Sequence, residues 1–268
     1  MRLLVLIAFS LNCACAGKGA AEKNYASCAS DSKKAITEIT TVDELESIEN
    51  TNPSATCERL TYFDDARLLL DKAARESDST KAASLYLQAA EILDALVGFY
   101  PEEYSYYSLA AAAFAGGVGI ELASFLGQMS GGDDFFSLGY EMFPGPSDDS
   151  YISTKNYLTL AVNLMDLKIE ALGETSGKGD FLQVSLYRMA QTMVIANGFL
   201  VPVDSGGWDQ EALDNVTVED VDAIIDNMSA IVAQVDDPQL QEKFSAFSDS
   251  DQLTDAEKKE LIKAQINK

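Results

Sequence analysis

Four cysteines, no histidine, and 43 aspartates and glutamates set the chemistry open to this 268-residue chain. Without histidine there is no Ser-His-Asp or Cys-His nucleophile, no usual zinc ligand set and no imidazole for general acid–base work. An enzyme built from this chain would have to run on carboxylates, lysine, tyrosine or cysteine. The carboxylates that stand out are few. Glu121 is the only charge in the apolar run from Tyr104 to Met129. An acid there is either a functional carboxylate with a raised pKa or a rim group paired with a cation such as Arg188. Asp249, Asp251, Asp255 and Glu260 cluster near the C-terminus, but a calcium loop wants glycine at its sixth position, and Thr254 stands there instead. Thr254 with Glu257 reads as a helix cap. No metal site and no cofactor follow from the sequence.

The cysteines read as an address and a staple. Arg2 precedes an apolar stretch from Leu3 to Leu11, and then come Cys13, Ala14, Cys15 and Ala16. Residues 1–16 have the make-up of an export signal and are too short to span a bilayer. A cysteine directly behind such a core resembles a bacterial lipobox, with Cys15 or Cys13 as the lipidated thiol. The alternative exit is cleavage after Ala16, which would release a soluble secreted or periplasmic protein. Lipidation at Cys15 or cleavage after Ala16 leaves Cys28 and Cys57, and an even pair in an oxidising compartment reads as one disulfide. Closing a loop of about 30 residues stabilises by about 3 kcal/mol in the chain-entropy picture.

The formal charge is -24. A surface so negative repels nucleic acid and anionic headgroups, so contact with a membrane would run only through the N-terminal lipid. Aromatic residues gather at either end of the apolar run: Tyr104 and Tyr107 at its start, Phe135, Phe136 and Tyr140 in the Gly/Pro-rich stretch 131–147 behind it. Aromatic faces with hydroxyls suit a ligand cleft. Tyr104, Tyr107, Glu121, Phe135, Phe136 and Tyr140 are therefore the candidate ligand-binding residues, with 131–147 as a loop.

The elements that must carry these groups are helices. Apolar residues recur at helical spacing in Glu58–Arg75, Thr80–Phe99, Tyr151–Leu172 and from Val221 to Val235, while Phe181–Leu200 is apolar nearly all round. No stretch alternates with a period of two. In the apolar run, Ala111, Ala115, Gly119, Ala123 and Gly127 fall four apart and predict one central helix with a small-residue ridge. The expected architecture is all-α, a helix-pair array or irregular bundle of about eight helices with no significant sheet. Residues 17–57 form a tether with short N-terminal helices, and 58–268 form one domain.

Ala66, Leu69, Leu70 and Ala73, followed by Ala82, Tyr86 and Ala89, stand at the positions of one tetratricopeptide helix pair. Together with the lipobox-like start, this resembles the tetratricopeptide lipoproteins associated with bacterial TRAP-type transporters. The resemblance covers about a tenth of the chain and transfers no binding residue. It implies a lipid-anchored envelope protein facing the periplasm, non-catalytic, working as an adaptor or ligand-binding module with a protein or small-molecule partner, a transporter component among them. A carboxylate-based glycan-active enzyme and a purely structural envelope protein are the alternatives.

Overall fold

A computed structural model describes residues 35–50, 61–120, 122–129, 135–203, 207–234, 245–248 and 250–266. Cys13, Cys15, Cys28, Cys57 and Glu121 lie outside the described residues, as does Asp249. Among the described residues the protein is all-α, with no strand beyond one isolated bridge between Pro202 and Trp208.

The helices are α1 (Val42–Asn50), α2 (Tyr62–Ala73), α3 (Ser79–Phe99), α4 (Tyr104–Gly117), α5 (Leu122–Met129), α6 (Phe135–Met142), α7 (Tyr151–Leu172), α8 (Lys178–Asn197), α9 (Gln210–Asp214), α10 (Val218–Gln234) and α11 (Asp255–Ile266). Short 3₁₀ turns stand at Ile36–Glu38, Gly173–Thr175, Ser245–Phe247 and Ser250–Gln252. Caps set several of the starts. Thr61 and Asp64 close a reciprocal box on α2, the Asp78 carboxylate accepts from the Thr80 and Lys81 amides at α3, and Thr254 with Glu257 caps α11 as the spacing predicted.

Two expectations are corrected. The run from Tyr104 to Met129 is not one helix. Gly119 takes φ +82, its amide donates to Gly116 O at 3.0 Å, and the Ile120 amide donates to Ala115 O at 2.9 Å. That is a Schellman stop, with glycine supplying the left-handed residue and a buried isoleucine behind it. The small-residue ridge therefore ends at Ala115. Nor is 131–147 simply a loop, since α6 occupies its middle.

α3 packs between α2 and α4, α4 packs on α7, α7 on α8, α8 on α10, and α10 on α11, while α6 covers α8. This succession of neighbouring helices is an array in which α8 carries the most burial. Its last turns, about four of them, are enclosed almost without interruption, from Val184 to Asn197. Buried side chains of α2 to α11 form one continuous core. A smaller cluster joins Ile36, Ile39 and Leu45 to Tyr62 and Leu96, so the N-terminal segment is clamped onto α2 and α3.

Candidate functional site

The aromatic residues singled out by sequence are mostly consumed by packing. Phe135 and Phe136 meet edge to face, centroids 5.1 Å apart, and both are core residues. Tyr107 is buried and donates its hydroxyl to Pro101 O at 3.2 Å, with the half-buried Tyr104 ring 6.4 Å away. Tyr140 is 41% exposed and stands edge-on to Trp208 at 5.3 Å. Arg188, the expected partner for Glu121, is held instead by both carboxylate oxygens of Asp166 at 2.7 Å. Its other terminal nitrogen donates to Asn227, which in turn donates to Gln191 and Thr192. This interhelical network ties α7, α8 and α10 together and is structural.

A recess lies along α3 instead. One face of that helix, Ala89, Ala90, Leu93 and Leu96, is buried. Three further apolar residues, Ala83, Leu87 and Ala95, fall on a second face beside Ser84, Gln88, Glu91 and Asp94, and this face forms the floor of a recess of about 740 Å³. Thr37 borders it from the N-terminal segment, and Phe114 of α4 with Tyr157 of α7 closes the opposite side. Those two rings stack at 5.7 Å and 18°. A second recess of about 410 Å³, bounded by Ile36–Val42 and by Gly98 and Phe99, shares Thr37 and Ala95 with the first. The two adjoin at those residues and follow one another along α3, and together they form the trough.

Glycine lets α4 come close to α3 beside the trough. A Cβ on Gly117 would sit 2.4 Å from the Leu87 side chain, and one on Gly116 would sit 2.8 Å from the Tyr86 ring. Without those Cβ atoms α4 approaches α3 closely, and Phe114, one turn earlier, lies against the floor. The lining of the larger recess holds two carboxylates, Glu91 and Asp94, and no lysine or arginine. They are three residues apart on one helix, which makes them neighbours on its surface. Partial desolvation raises the Asp94 pKa above the ordinary aspartate value. The site can therefore offer apolar area and localised negative charge together. None of the sequence-selected aromatics lines either recess. Glu91, Asp94, Phe114 and Tyr157 were missed by sequence reasoning. One signal was present: α3 has apolar residues on a second face, more than one buried stripe requires.

Among the described residues no group of three metal-ligating side chains gathers. Compared with protein families, with curated proteins and with solved structures, the chain finds no match.

Proposed function

We propose that this chain is a bacterial envelope lipoprotein, anchored through Cys15 or Cys13 and facing the periplasm, whose all-α body is a non-catalytic binding module. The observation that carries the reading is the trough along α3. It is a concave surface with an apolar floor, built where consecutive helix neighbours meet, which is where helical arrays present ligand surfaces. The α2–α3 pair that bears it is the segment with tetratricopeptide-like spacing, and Ala66, Ala73 and Ala89 of that frame are buried. An adaptor bound to a transporter component in the same membrane accords with a chain that combines a lipid anchor and a docking surface.

The test is site-specific photocrosslinking in intact cells. A photoreactive phenylalanine analogue replaces Gln88 on the trough floor or, as control, Glu141 on the exposed side of α6. A discrete adduct at Gln88 and none at Glu141 is expected, together with palmitate incorporation that is lost when Cys13 and Cys15 are both replaced by alanine. Equal adducts at both positions, or none at Gln88, would remove the binding-module reading.

A further inference from the structure

We propose that the trough takes a lysine- or arginine-bearing amphipathic helix of a partner protein, laid along α3 with its apolar face on Leu87 and Ala95 and its cations over Glu91 and Asp94. The inference rests on the body being a binding module and adds the chemistry of the ligand.

Three observations carry it. The first is length. The floor runs from Thr80 to Gly98 across the two recesses, and at 1.5 Å per residue this is about 27 Å. That matches several turns of helix rather than a single compact molecule. The second is the pattern on the floor. Ala83, Leu87 and Ala95 supply apolar contact, and the acids stand beside them on successive turns, which is the complement of a helix with one apolar and one basic edge. The third is charge. Both charged side chains lining the larger recess are acidic, and the whole chain carries -24, so a cationic segment is steered toward the molecule and then fixed in register by the two carboxylates. The raised Asp94 pKa agrees with this, because a cation seated beside that carboxyl offsets the desolvation it suffers alone.

The experiment uses the full chain and three fluorescent synthetic peptides of equal length, read by fluorescence anisotropy. One is a leucine/lysine amphipathic helix. The second has the same composition scrambled so that no apolar edge forms. The third is the leucine/glutamate counterpart of the first. Only the first is expected to bind well. Glu91→Gln with Asp94→Asn, both at exposed positions, is expected to weaken that binding about tenfold. Glu170→Gln with Glu219→Gln, which removes the same charge elsewhere on the surface, is expected to change it by less than about twofold. Unchanged binding in the Glu91/Asp94 variant overturns the proposal. So does equal binding of the scrambled peptide, which would show attraction to net charge alone, or equal binding of the glutamate peptide. If none of the peptides binds while the Gln88 photoadduct persists, the cationic-helix proposal falls and the binding-module reading stands.

Discussion

The close contact of α6 with α8 offers a sharp test of the packing, at Gly139. An ideal Cβ there would lie 2.7 Å from Met193 Cβ, 2.8 Å from Met193 Cγ and 3.3 Å from Met193 Cα. Carbon atoms in contact prefer about 3.5–4.0 Å, so Gly139→Ala must open the α6–α8 interface by roughly 1 Å. Met193 cannot swing clear, because it is fully buried and two of the three offending atoms are the Cα and Cβ at the base of its side chain. Nor can α6 slide freely, since the buried Asn197 amide donates to Gly139 O at 3.1 Å and to Phe143 O at 3.0 Å. Overpacking of this kind costs about 1–3 kcal/mol. The better helix propensity of alanine offsets up to about 1 kcal/mol. The net expectation is a loss of about 1–2 kcal/mol, read as a lower urea midpoint at unchanged slope and a melting temperature lower by about 3–6 °C. Gly98→Ala is the matched control. Gly98 lies inside α3 with nothing within 4 Å of the added Cβ, so only the propensity gain remains, and about 0.5–1 kcal/mol of stabilisation is expected. If Gly139→Ala is as stable as the wild type, or if the two variants shift the midpoint in the same direction, the close α6–α8 approach is refuted.

Three further outcomes follow from the same interior. Asn197→Leu removes both donations to the end of α6 and is expected to cost about 1–3 kcal/mol in urea unfolding, because the Phe143 and Gly139 carbonyls lose a buried partner. A double-mutant cycle of Asp166→Ala and Arg188→Ala should give a coupling of about 1–2 kcal/mol. That lies between the exposed and the fully buried limits, since the Arg188 side chain is 13% exposed and that of Asp166 39%; a coupling near zero would show that the pair holds nothing. Stability should fall as pH rises above about 10, the value at which unfolded tyrosine ionises. Tyr187, wholly buried, has its pKa raised by desolvation against a hydrogen bond from Gln183 that lowers it, and burial also raises Tyr62, Tyr106 and Tyr151. In that range the unfolded chain has lost phenolic protons that the folded one retains, so the slope of stability with pH is negative. Tyr187→Phe should flatten it, and an unaltered slope in the variant would contradict the assignment.

What was legible in the sequence was what periodicity encodes. The apolar spacing of α2, α3, α7 and α10, the near-continuous apolar run of α8 and the Thr254–Glu257 cap all stand where the pattern put them, because each depends on residues within a turn or two of one another. Two kinds of feature were not legible that way. Gly119 sits in register with Ala111 and Ala115, so spacing alone places it on a helix ridge. Its backbone instead ends α4, and the local sign of this was a glycine followed by an isoleucine that could bury itself as the residue after the stop. The packing of the aromatic residues was hidden for a related reason. Phe135 and Phe136 are dense in sequence and look available, yet α6 turns both inward against α8. The trough required three separate segments to meet: the Ile36–Glu38 turn, the second face of α3, and the Phe114–Tyr157 stack joining α4 to α7. Its floor carries both alanines and acids, so its hydrophobicity is too diluted to stand out in a window, and the approach of α4 beside it depends on Gly116 and Gly117, whose contribution is the absence of a side chain. A surface that depends on what one helix lacks opposite side chains about 30 positions away along the chain leaves almost no one-dimensional trace. It is nonetheless a place where this fold brings apolar area and two carboxylates together.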